Sequence, residues 1–310
     1  MKMLVTGGAG FIGSNLTEIL VENGHEVVVL DNLFLGKKEN LSSAVDSIEF
    51  VEGDVCDRQL VFEIMKDVDY VFHQAAASSS PMFAKDLRGA VAVNVDGLIN
   101  VLEAAKMYGV KRVVHACTSS IYGNNPVPHS EDMHVEPPNA YAASKFAAEH
   151  IGRIYSAENG LETVGLRYFS VYGPHEKAKG KFANTVSQFM WDMKDGRTPV
   201  IFGDGSQTRD FTFVRDVAAA NILAAKRPGI SGQIFNVGTG VSKSFNDIID
   251  MLNAGLGTSI TPKYVNNPIK NYVKDTLADT RKAEKMLGFR ARISLEEGIK
   301  EIVSLEESRM

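Results

Sequence analysis

The chain has 310 residues with 44% hydrophobic and 23% charged residues, and its formal net charge is −5. An acidic balance without a long basic run argues against nucleic acid or an anionic membrane as a partner. Two cysteines are too few for a disulfide framework, and no apolar stretch approaches the roughly 20 residues of a membrane span. Because the first predicted strand leaves no room for a signal peptide, we expect a cytoplasmic protein.

Short apolar runs alternate with helical patterns through the first half of the chain. The runs predict strands at residues 3–6, 27–30, 48–51, 70–72, 112–115 and 163–167. The patterns between them predict helices at 11–23, within 87–108, and at 141–159. Continuous apolar runs are typical of strands that are covered on both faces. The alternation therefore predicts an α/β fold with a doubly wound parallel (Rossmann) sheet over residues 1–169.

The pattern changes after Gly173 and Pro174, where loops become longer and richer in lysine. Residues 211–240 predict a return to the sheet, with a helix at 213–226 and a strand at 234–237. We therefore predict a smaller, interleaved α/β domain for substrate binding, made of residues 170–210 and 241–310.

The first predicted strand runs into a glycine-rich turn, T-G-G-A-G-F-I-G, at residues 6–13. Gly10 and Gly13 combine with Gly8 as G-x-G-x-x-G, or with Gly7 as G-x-x-G-x-x-G. Either pattern lets the backbone approach a pyrophosphate, whose charge lies at the N-terminus of the following helix.

Asp31 ends the next predicted strand, 18 residues beyond Gly13. A carboxylate at this place binds the adenosine ribose and repels a 2′-phosphate. Lys37 and Lys38 lie several residues farther on, so the sequence favours NAD over NADP. The alternative is a tight turn followed by a capping aspartate.

Tyr141 and Lys145 lie four residues apart in Y-A-A-S-K, on one face of a predicted helix. A free tyrosine has a pKa near 10, and an ammonium group one helical turn away favours the phenolate. Alone, this spacing also fits a solvated helix face. Together with the glycine turn, it predicts a tyrosine acid/base beside a nicotinamide nucleotide.

These segments resemble the extended short-chain dehydrogenase/reductases of the nucleotide-sugar epimerase/dehydratase family. The resemblance covers essentially the whole chain. It includes D-N-L at 31–33, G-D-V at 53–55, H-Q-A-A at 73–76, T-S-S-I-Y-G at 118–123, R-Y-F-S-V-Y-G-P at 167–174 and T-R-D-F at 208–211.

The resemblance implies a bound NAD, a nucleotide-sugar substrate and roles for individual residues. Thr118 would bind the reacting hydroxyl, Tyr141 would act as the base, and Lys145 would hold the nicotinamide ribose. The other implied cofactor-binding residues are Gly7, Gly10, Phe11, Ile12, Gly13, Asp31, Asn32, Asp54, Val55, Ala75, Ala76, Asn94 and Tyr168. The implied substrate-binding residues are Ser79, Thr118, Ser119, Tyr141, Ser170, Arg209, Tyr272 and Thr276. The sequence shows no His/Cys/Asp cluster with metal-ligand spacing, so we predict no metal.

Four of these residues have simpler alternatives. Thr118 could be a strand-end hydroxyl without catalytic work. Asn94 could serve only as a hydrogen-bonding residue at a helix start, and Ser79 only as a loop hydroxyl. Arg209, expected to clamp a diphosphate, could instead form a surface ion pair with Asp210.

The same resemblance implies that the tyrosine removes the 4-hydroxyl proton while the C4 hydride passes to NAD. Dehydratases of the family carry Asp and Glu just after the threonine, and decarboxylases usually carry a glutamate there. This chain has Ser119 and Ser120, which predicts a 4-epimerase because the ketosugar can only take its hydride back. The alternatives are an NAD-dependent dehydratase or reductase and, in another class, a non-catalytic NAD-sensing module.

The segment K-D-T-L-A-D at 274–279 resembles the family stretch that limits the size of the C2 substituent, which makes Thr276 the gatekeeper. A small residue there favours UDP-GlcNAc/UDP-GalNAc, with UDP-Glc/UDP-Gal as further substrates. Ser170 stands where the family usually has Asn. Ile269 and Tyr272 stand at the Arg and Asp positions of the family's usual R-x-x-D motif. Lys270 and Tyr272 could together take over the role of that motif. The identity of the nucleotide therefore stays open, and a larger 2- or 3-substituted amino sugar stays open as the substrate.

The helices at 87–108 and 141–159 correspond to the family's dimer interface, so we expect a homodimer.

Overall fold

The computed structural model describes residues 1–268 and 272–307. Its strands are β1 Lys2–Thr6, β2 Glu26–Asp31, β3 Ile48–Glu52, β4 Tyr70–His73, β5 Arg112–Thr118, β6 Thr163–Tyr168, β7 Val200–Phe202, β8 Thr208–Asp210, β9 Gln233–Val237, β10 Ser242–Ser244 and β11 Lys263–Val265. Its α-helices are α1 Phe11–Glu22, α2 Arg58–Ile64, α3 Ser80–Lys85, α4 Leu87–Tyr108, α5 Ala140–Asn159, α6 Thr185–Lys194, α7 Val214–Lys226, α8 Phe245–Leu256 and α9 Leu295–Glu307.

The central sheet has seven parallel strands in the order β3-β2-β1-β4-β5-β6-β9. This order confirms the predicted doubly wound sheet. Strand order reverses between β1 and β4, so their carboxyl ends diverge into a crevice where such folds bind their ligands.

Alternate residues of each strand enter two different cores. Met3 and Val5 of β1 belong to the core beneath α1 and α7, whereas Leu4 belongs to the core beneath α2 and α4. Because both faces are covered, each position favours an apolar residue, and burial of such a side chain contributes roughly 1.5–3 kcal/mol. This explains the continuous apolar runs in the sequence.

Residues 211–240 contribute a helix and a strand to the sheet layer. Strand β9 pairs with β6 from Val164↔Gln233 to Tyr168↔Val237, and α7 packs against α1. Buried Arg112, at the start of β5, donates through Nη1 to the carbonyls of Ala224 and Arg227 at 2.7 and 2.6 Å. These bonds satisfy carbonyls at the C-terminus of α7 and attach that helix to the sheet.

A separate apolar core lies among α6, α8 and α9. Two small sheets accompany it, one of β7 with β11 in parallel and one of β8 with β10 in antiparallel register. The division of the chain into an NAD domain and a substrate domain stays a prediction. Within the described ranges, no helix is long and apolar enough to span a bilayer.

The prediction for the fifth strand was three residues short. Strand β5 continues through Cys117 and ends at Thr118, which pairs with Tyr168 of β6. The longer strand places Thr118 at the carboxyl edge of the sheet.

Candidate active site

A pocket of about 480 Å³ lies at the carboxyl ends of β1, β2 and β4. Its walls include eleven residues that the sequence predicted to bind the cofactor: Gly7, Gly10, Phe11, Ile12, Gly13, Asp31, Asn32, Asp54, Val55, Ala75 and Ala76.

The glycine turn that forms one wall is tightly packed. Gly7 has a φ of +69°, and a Cβ there would lie 2.6 Å from the Ala75 nitrogen. A Cβ on Gly13 would lie 2.1 Å from the Gly7 carbonyl oxygen. Gly8 packs against Val29 instead, so Gly7, Gly10 and Gly13 are the glycines of this turn that line the pocket.

The turn leads into the N-terminus of α1, where Gly10 provides no side-chain cap and the first turn has no acidic residue. Its N–H groups and the helix dipole therefore favour an anion in the pocket. These features fit the pyrophosphate of NAD.

Asp31 anchors the turn from the end of β2. Its carboxylate accepts hydrogen bonds from the backbone N–H groups of Ala9 and Leu33 at 2.9 and 2.8 Å. Burial raises the pKa of Asp31, although hydrogen bonds from Leu33, Ala9 and Gly10 oppose the increase. The carboxylate has acceptor capacity left for ribose hydroxyls.

Asp54 forms a second acidic point on the pocket wall. It accepts hydrogen bonds from the Asn32 amide and the Cys56 N–H, both at 2.8 Å. Burial acts to raise the pKa of Asp54, but these bonds outweigh it and hold the pKa below its ordinary value. Asp54 is therefore a fixed hydrogen-bond acceptor at neutral pH.

Tyr141 lies in the first turn of α5, which begins where the Asn139 side chain caps the Ala142 N–H at 3.0 Å. Its ring packs edge-on against Phe83, with 5.9 Å between centroids. Burial raises the pKa of the Tyr141 phenol, and a hydrogen bond with Thr118 partly offsets the increase. Tyr141 and Thr118 are therefore neighbours, and their roles in catalysis stay predictions.

Lys145 lies one turn farther along α5 and is 4% exposed. Its ammonium donates to the Ala116 carbonyl at 2.9 Å, and burial lowers the pKa of Lys145 to about 8. The sequence predicted that Lys145 would hold down the pKa of Tyr141. In the structure that pKa is raised, because the apolar surroundings of the phenol outweigh the contributions that lower it.

Asn94 is buried on α4 and joins the loop after β4 to helix α5. It accepts from the Ala77 N–H at 2.8 Å and donates to the Ala77 carbonyl and the Ser144 hydroxyl at 3.1 and 3.0 Å. Both amide hydrogens of Asn94 are therefore used within the protein, which fixes α5 relative to the pocket. A direct contact between Asn94 and the cofactor stays a prediction.

Tyr168, at the end of β6, is buried against polar neighbours. Its hydroxyl contacts Gln74 Oε1 at 3.1 Å and accepts from the Asn221 amide at 2.9 Å, and burial raises its pKa. Because Gln74 lines the pocket, Tyr168 supports that wall from behind.

Arg209 projects from β8, and its guanidinium lies 5.5 Å from the ring centroids of both Phe245 and Tyr272. It donates to the backbone carbonyls of Thr208, Val273 and Lys274 at 2.6–2.8 Å. Burial lowers its pKa. In the part of the chain that the structure describes, no carboxylate forms a salt bridge with Arg209.

The alternative for Arg209, a surface ion pair with Asp210, is not formed among the described residues. The Asp210 carboxylate instead accepts from the N–H groups of Thr239, Gly240 and Ala278 at 2.8–3.0 Å. Arg209 is therefore a rigidly held cation, available to an anionic ligand.

Thr276 lies beside β8 and is 8% exposed. Its N–H donates to the Thr208 carbonyl at 3.1 Å, and its hydroxyl accepts from the Asp210 N–H at 3.3 Å. Ile269 and Lys270, named with it in the sequence, lie outside the described residues.

Two other predicted substrate residues have unusual local environments. Ser79 precedes α3 at the N-cap position, but its side chain accepts no hydrogen bond from the helix. Its hydroxyl is buried without a hydrogen-bond partner among the described residues. Ser170 has a φ of +29°, a strained value for a residue with a side chain. Strained backbone conformations and buried polar groups without a partner are features that cluster at binding sites. Ser119 opens a 3₁₀ turn directly after Thr118.

The pocket has further walls that no motif marked. They include Phe34, Met82, Lys85, Lys179 and Phe182. The lysine-rich loop after residue 173 was visible in the sequence, but nothing in it indicated which lysine would reach the pocket.

The glycine turn, the aspartate after β2 and the Tyr141–Lys145 pair on α5 define a dinucleotide-dependent short-chain dehydrogenase/reductase. The NAD dependent epimerase/dehydratase family model matches residues 3–238. The chain belongs to this family, and NAD is its cofactor.

Similar proteins cover nearly the whole chain. UDP-glucose 4-epimerase of Mycolicibacterium smegmatis is 39% identical over 308 residues, 98% of this chain and 97% of that one. The Thermotoga maritima UDP-glucose 4-epimerase, solved with UDP-glucose, gives a TM-score of 0.94 at 35% identity, covering 100% and 99% of the two chains. The UDP-N-acetylglucosamine 4-epimerase of Methanobrevibacter ruminantium, solved with UDP-N-acetylmuramic acid, gives 0.94 at 33% identity with the same coverage.

Proposed function

We propose that this chain is a UDP-sugar 4-epimerase that interconverts UDP-GlcNAc and UDP-GalNAc and also accepts UDP-Glc and UDP-Gal. The supporting observation is the buried Tyr141 phenol with Thr118 close enough to act against the increase in its pKa, and with Ser119 and Ser120 as the residues after Thr118. This arrangement can move a proton at a sugar hydroxyl but offers no carboxylate for elimination or decarboxylation.

Bound NAD supplies the acceptor and later the donor of the C4 hydride, and the positive charge of its oxidised ring favours the phenolate form of a nearby tyrosine. Tyr141 takes the proton from the sugar 4-hydroxyl and returns it after the sugar has turned over. Thr118 orients that hydroxyl. The Lys145 ammonium, fixed by the Ala116 carbonyl, supplies positive charge one helical turn from Tyr141.

Substrate anchoring is proposed for Arg209. Its guanidinium is held by three backbone carbonyls and two aromatic rings, so little rotamer entropy is lost when it binds a diphosphate. A firm grip on the diphosphate leaves the sugar free to rotate, which epimerisation at C4 requires.

The preference for an acetamido sugar rests on two short side chains. Thr276 is small and held in place on both its N–H and its hydroxyl, which leaves room for a C2 substituent. The unpartnered Ser79 hydroxyl could then donate to the acetamido carbonyl, since buried polar groups normally have a partner.

The testing experiment is an HPLC assay of purified protein with UDP-GlcNAc or UDP-Glc and without added NAD. We expect conversion of both, with UDP-GlcNAc preferred, and loss of turnover in Tyr141→Phe although NAD stays bound. Conversion of UDP-Glc alone would refute the role of Thr276 but would leave the proposed 4-epimerase mechanism intact. A 4-keto or reduced product would instead establish the dehydratase or reductase alternative.

The departures at Ser170 and Tyr272 call for one further substrate in that assay. UDP-N-acetylmuramic acid carries a 3-substituent on an amino sugar, and its turnover in preference to UDP-GlcNAc would identify the larger sugar as the substrate. Protein that keeps NAD but converts none of the three would support the non-catalytic alternative.

A homodimer is proposed through α4 and α5, which pack on each other. These helices expose the large apolar side chains of Leu87, Val91, Met107 and Ile154, which an interface would remove from water. Light scattering of the purified protein would give the mass of a dimer, and a monomer at micromolar concentration would refute the proposal.

A further inference from the structure

One wall of the NAD pocket comes from the turn Lys177–Phe182, which follows β6 and the predicted domain boundary. Lys179 and Phe182 of this turn line the pocket. The Lys179 ammonium lies 5.3 Å from the ring centroid of Phe11, the first residue of α1. A lysine is thereby placed at the same helix N-terminus that favours an anion.

The ammonium is held in position by a buried carboxylate. Glu176, which is fully buried, accepts from Lys179 Nζ at 3.3 Å, from the Asn184 N–H at 2.7 Å and from the Ser187 hydroxyl at 2.6 Å. The Lys179 side chain is 19% exposed, so the charge has limited freedom. Lys179 therefore reaches the pocket as a positioned group rather than as a mobile surface cation.

The residues just before the turn are also fastened to α1. The Ser14 hydroxyl contacts His175 Nδ1 at 3.0 Å, and the Asn15 amide donates to the Pro174 carbonyl at 3.1 Å. These contacts lie one turn along α1 from Phe11, so the segment that leads into the turn is attached to the same end of the helix.

We propose that Lys179 is a phosphate-binding residue for NAD, which makes the turn Lys177–Phe182 a clamp that holds the cofactor against α1. An ammonium group beside the helix N-terminus adds a full positive charge to the partial charge of the dipole. The inference rests on NAD as the cofactor and not on the identity of the sugar.

The neighbouring lysines provide a matched control. Lys177 pairs with Glu306 at 3.9 Å, and Lys181 lies 5.4 Å from the Phe182 ring centroid. Both are exposed, and neither lines the pocket. Replacement of Lys181 thus changes the net charge and the turn in the same way without touching the proposed contact.

The test measures NAD binding without any sugar. Calorimetry on protein stripped of its cofactor should show NAD binding roughly tenfold to hundredfold weaker in Lys179→Met, nearly unchanged in Lys181→Met, and largely restored in Lys179→Arg. Wild-type affinity should fall with added KCl more steeply than that of Lys179→Met. Equal NAD affinities and salt slopes in the two methionine variants would overturn the proposal and leave Lys179 as the counter-ion of Glu176 alone.

Two further measurements separate other outcomes. UDP binding should be the same in Lys179→Met and wild type, whereas a loss of UDP affinity with intact NAD affinity would assign Lys179 to the substrate diphosphate and refute the inference. If Lys179→Met does not fold, trace amine labelling of the wild-type holoenzyme decides. NAD should protect Lys179 but not Lys177 or Lys181, and equal labelling with and without NAD would contradict the clamp.

Discussion

Replacement of Lys145 by methionine should stabilise the NAD-free protein while it ends catalysis. Burial lowers the pKa of Lys145 to about 8, compared with an ordinary value near 10.4, which corresponds to about 3 kcal/mol of destabilisation at pH 7. Methionine fills a similar volume and carries no charge, but it leaves the Ala116 carbonyl without its donor, at a cost of about 1 kcal/mol. The expected net gain is about 2 kcal/mol.

The pH dependence has a definite sign. Because the folded pKa of Lys145 is depressed, the unfolded chain binds more protons between pH 8 and 10.5, and wild-type stability rises through that window. The advantage of Lys145→Met should therefore be full at pH 7 and fall below about 1 kcal/mol by pH 9.5. Urea denaturation at both pH values measures this difference, with exposed Lys66→Met as the control. A less stable Lys145→Met at pH 7, or a difference that does not change with pH, would refute the reasoning.

Three other predictions concern the pocket and the core. Gly13→Ala should abolish NAD retention, measured by HPLC of the denatured protein, because its Cβ would lie 2.1 Å from the Gly7 carbonyl. Thr276→Tyr should lose UDP-GlcNAc turnover and keep that of UDP-Glc, and equal loss of both would contradict the gate. Glu149→Gln removes the charge that pairs with buried Arg167, so unfolding free energy measured in urea should fall by about 3 kcal/mol.

Most of the fold could be predicted because its sheet is buried on both faces. Strands such as β1 and β2 read as continuous apolar runs, and the alternation with helices left few topologies. The end of β5 was missed because the prediction stopped at His115, a polar residue in the run, although pairing with β6 continues through Thr118. Tertiary pairing, which local pattern does not record, decided that boundary.

The candidate site was also predictable only in part. Residues in motifs, such as Gly7, Asp31 and Tyr141, were predictable because their spacing within one strand–turn–helix unit fixes their geometry. Lys179 was not, since its place at the pocket depends on a buried carboxylate and on contacts with α1 from a distant part of the chain. The raised pKa of Tyr141 was also unpredictable, because burial is a property of the folded surroundings.

The pairing of β6 with β9 also bears on how the chain is synthesised. About 65 residues separate the end of β6 from the start of β9, and a ribosome needs several seconds to add them at about 5–20 residues per second. During that interval the nascent sheet has an open edge at β6, and the carbonyls of Ala224 and Arg227 that Arg112 binds are made only near its end. An open edge is a template for pairing with other chains, so this stage of translation is where the protein most needs protection from aggregation.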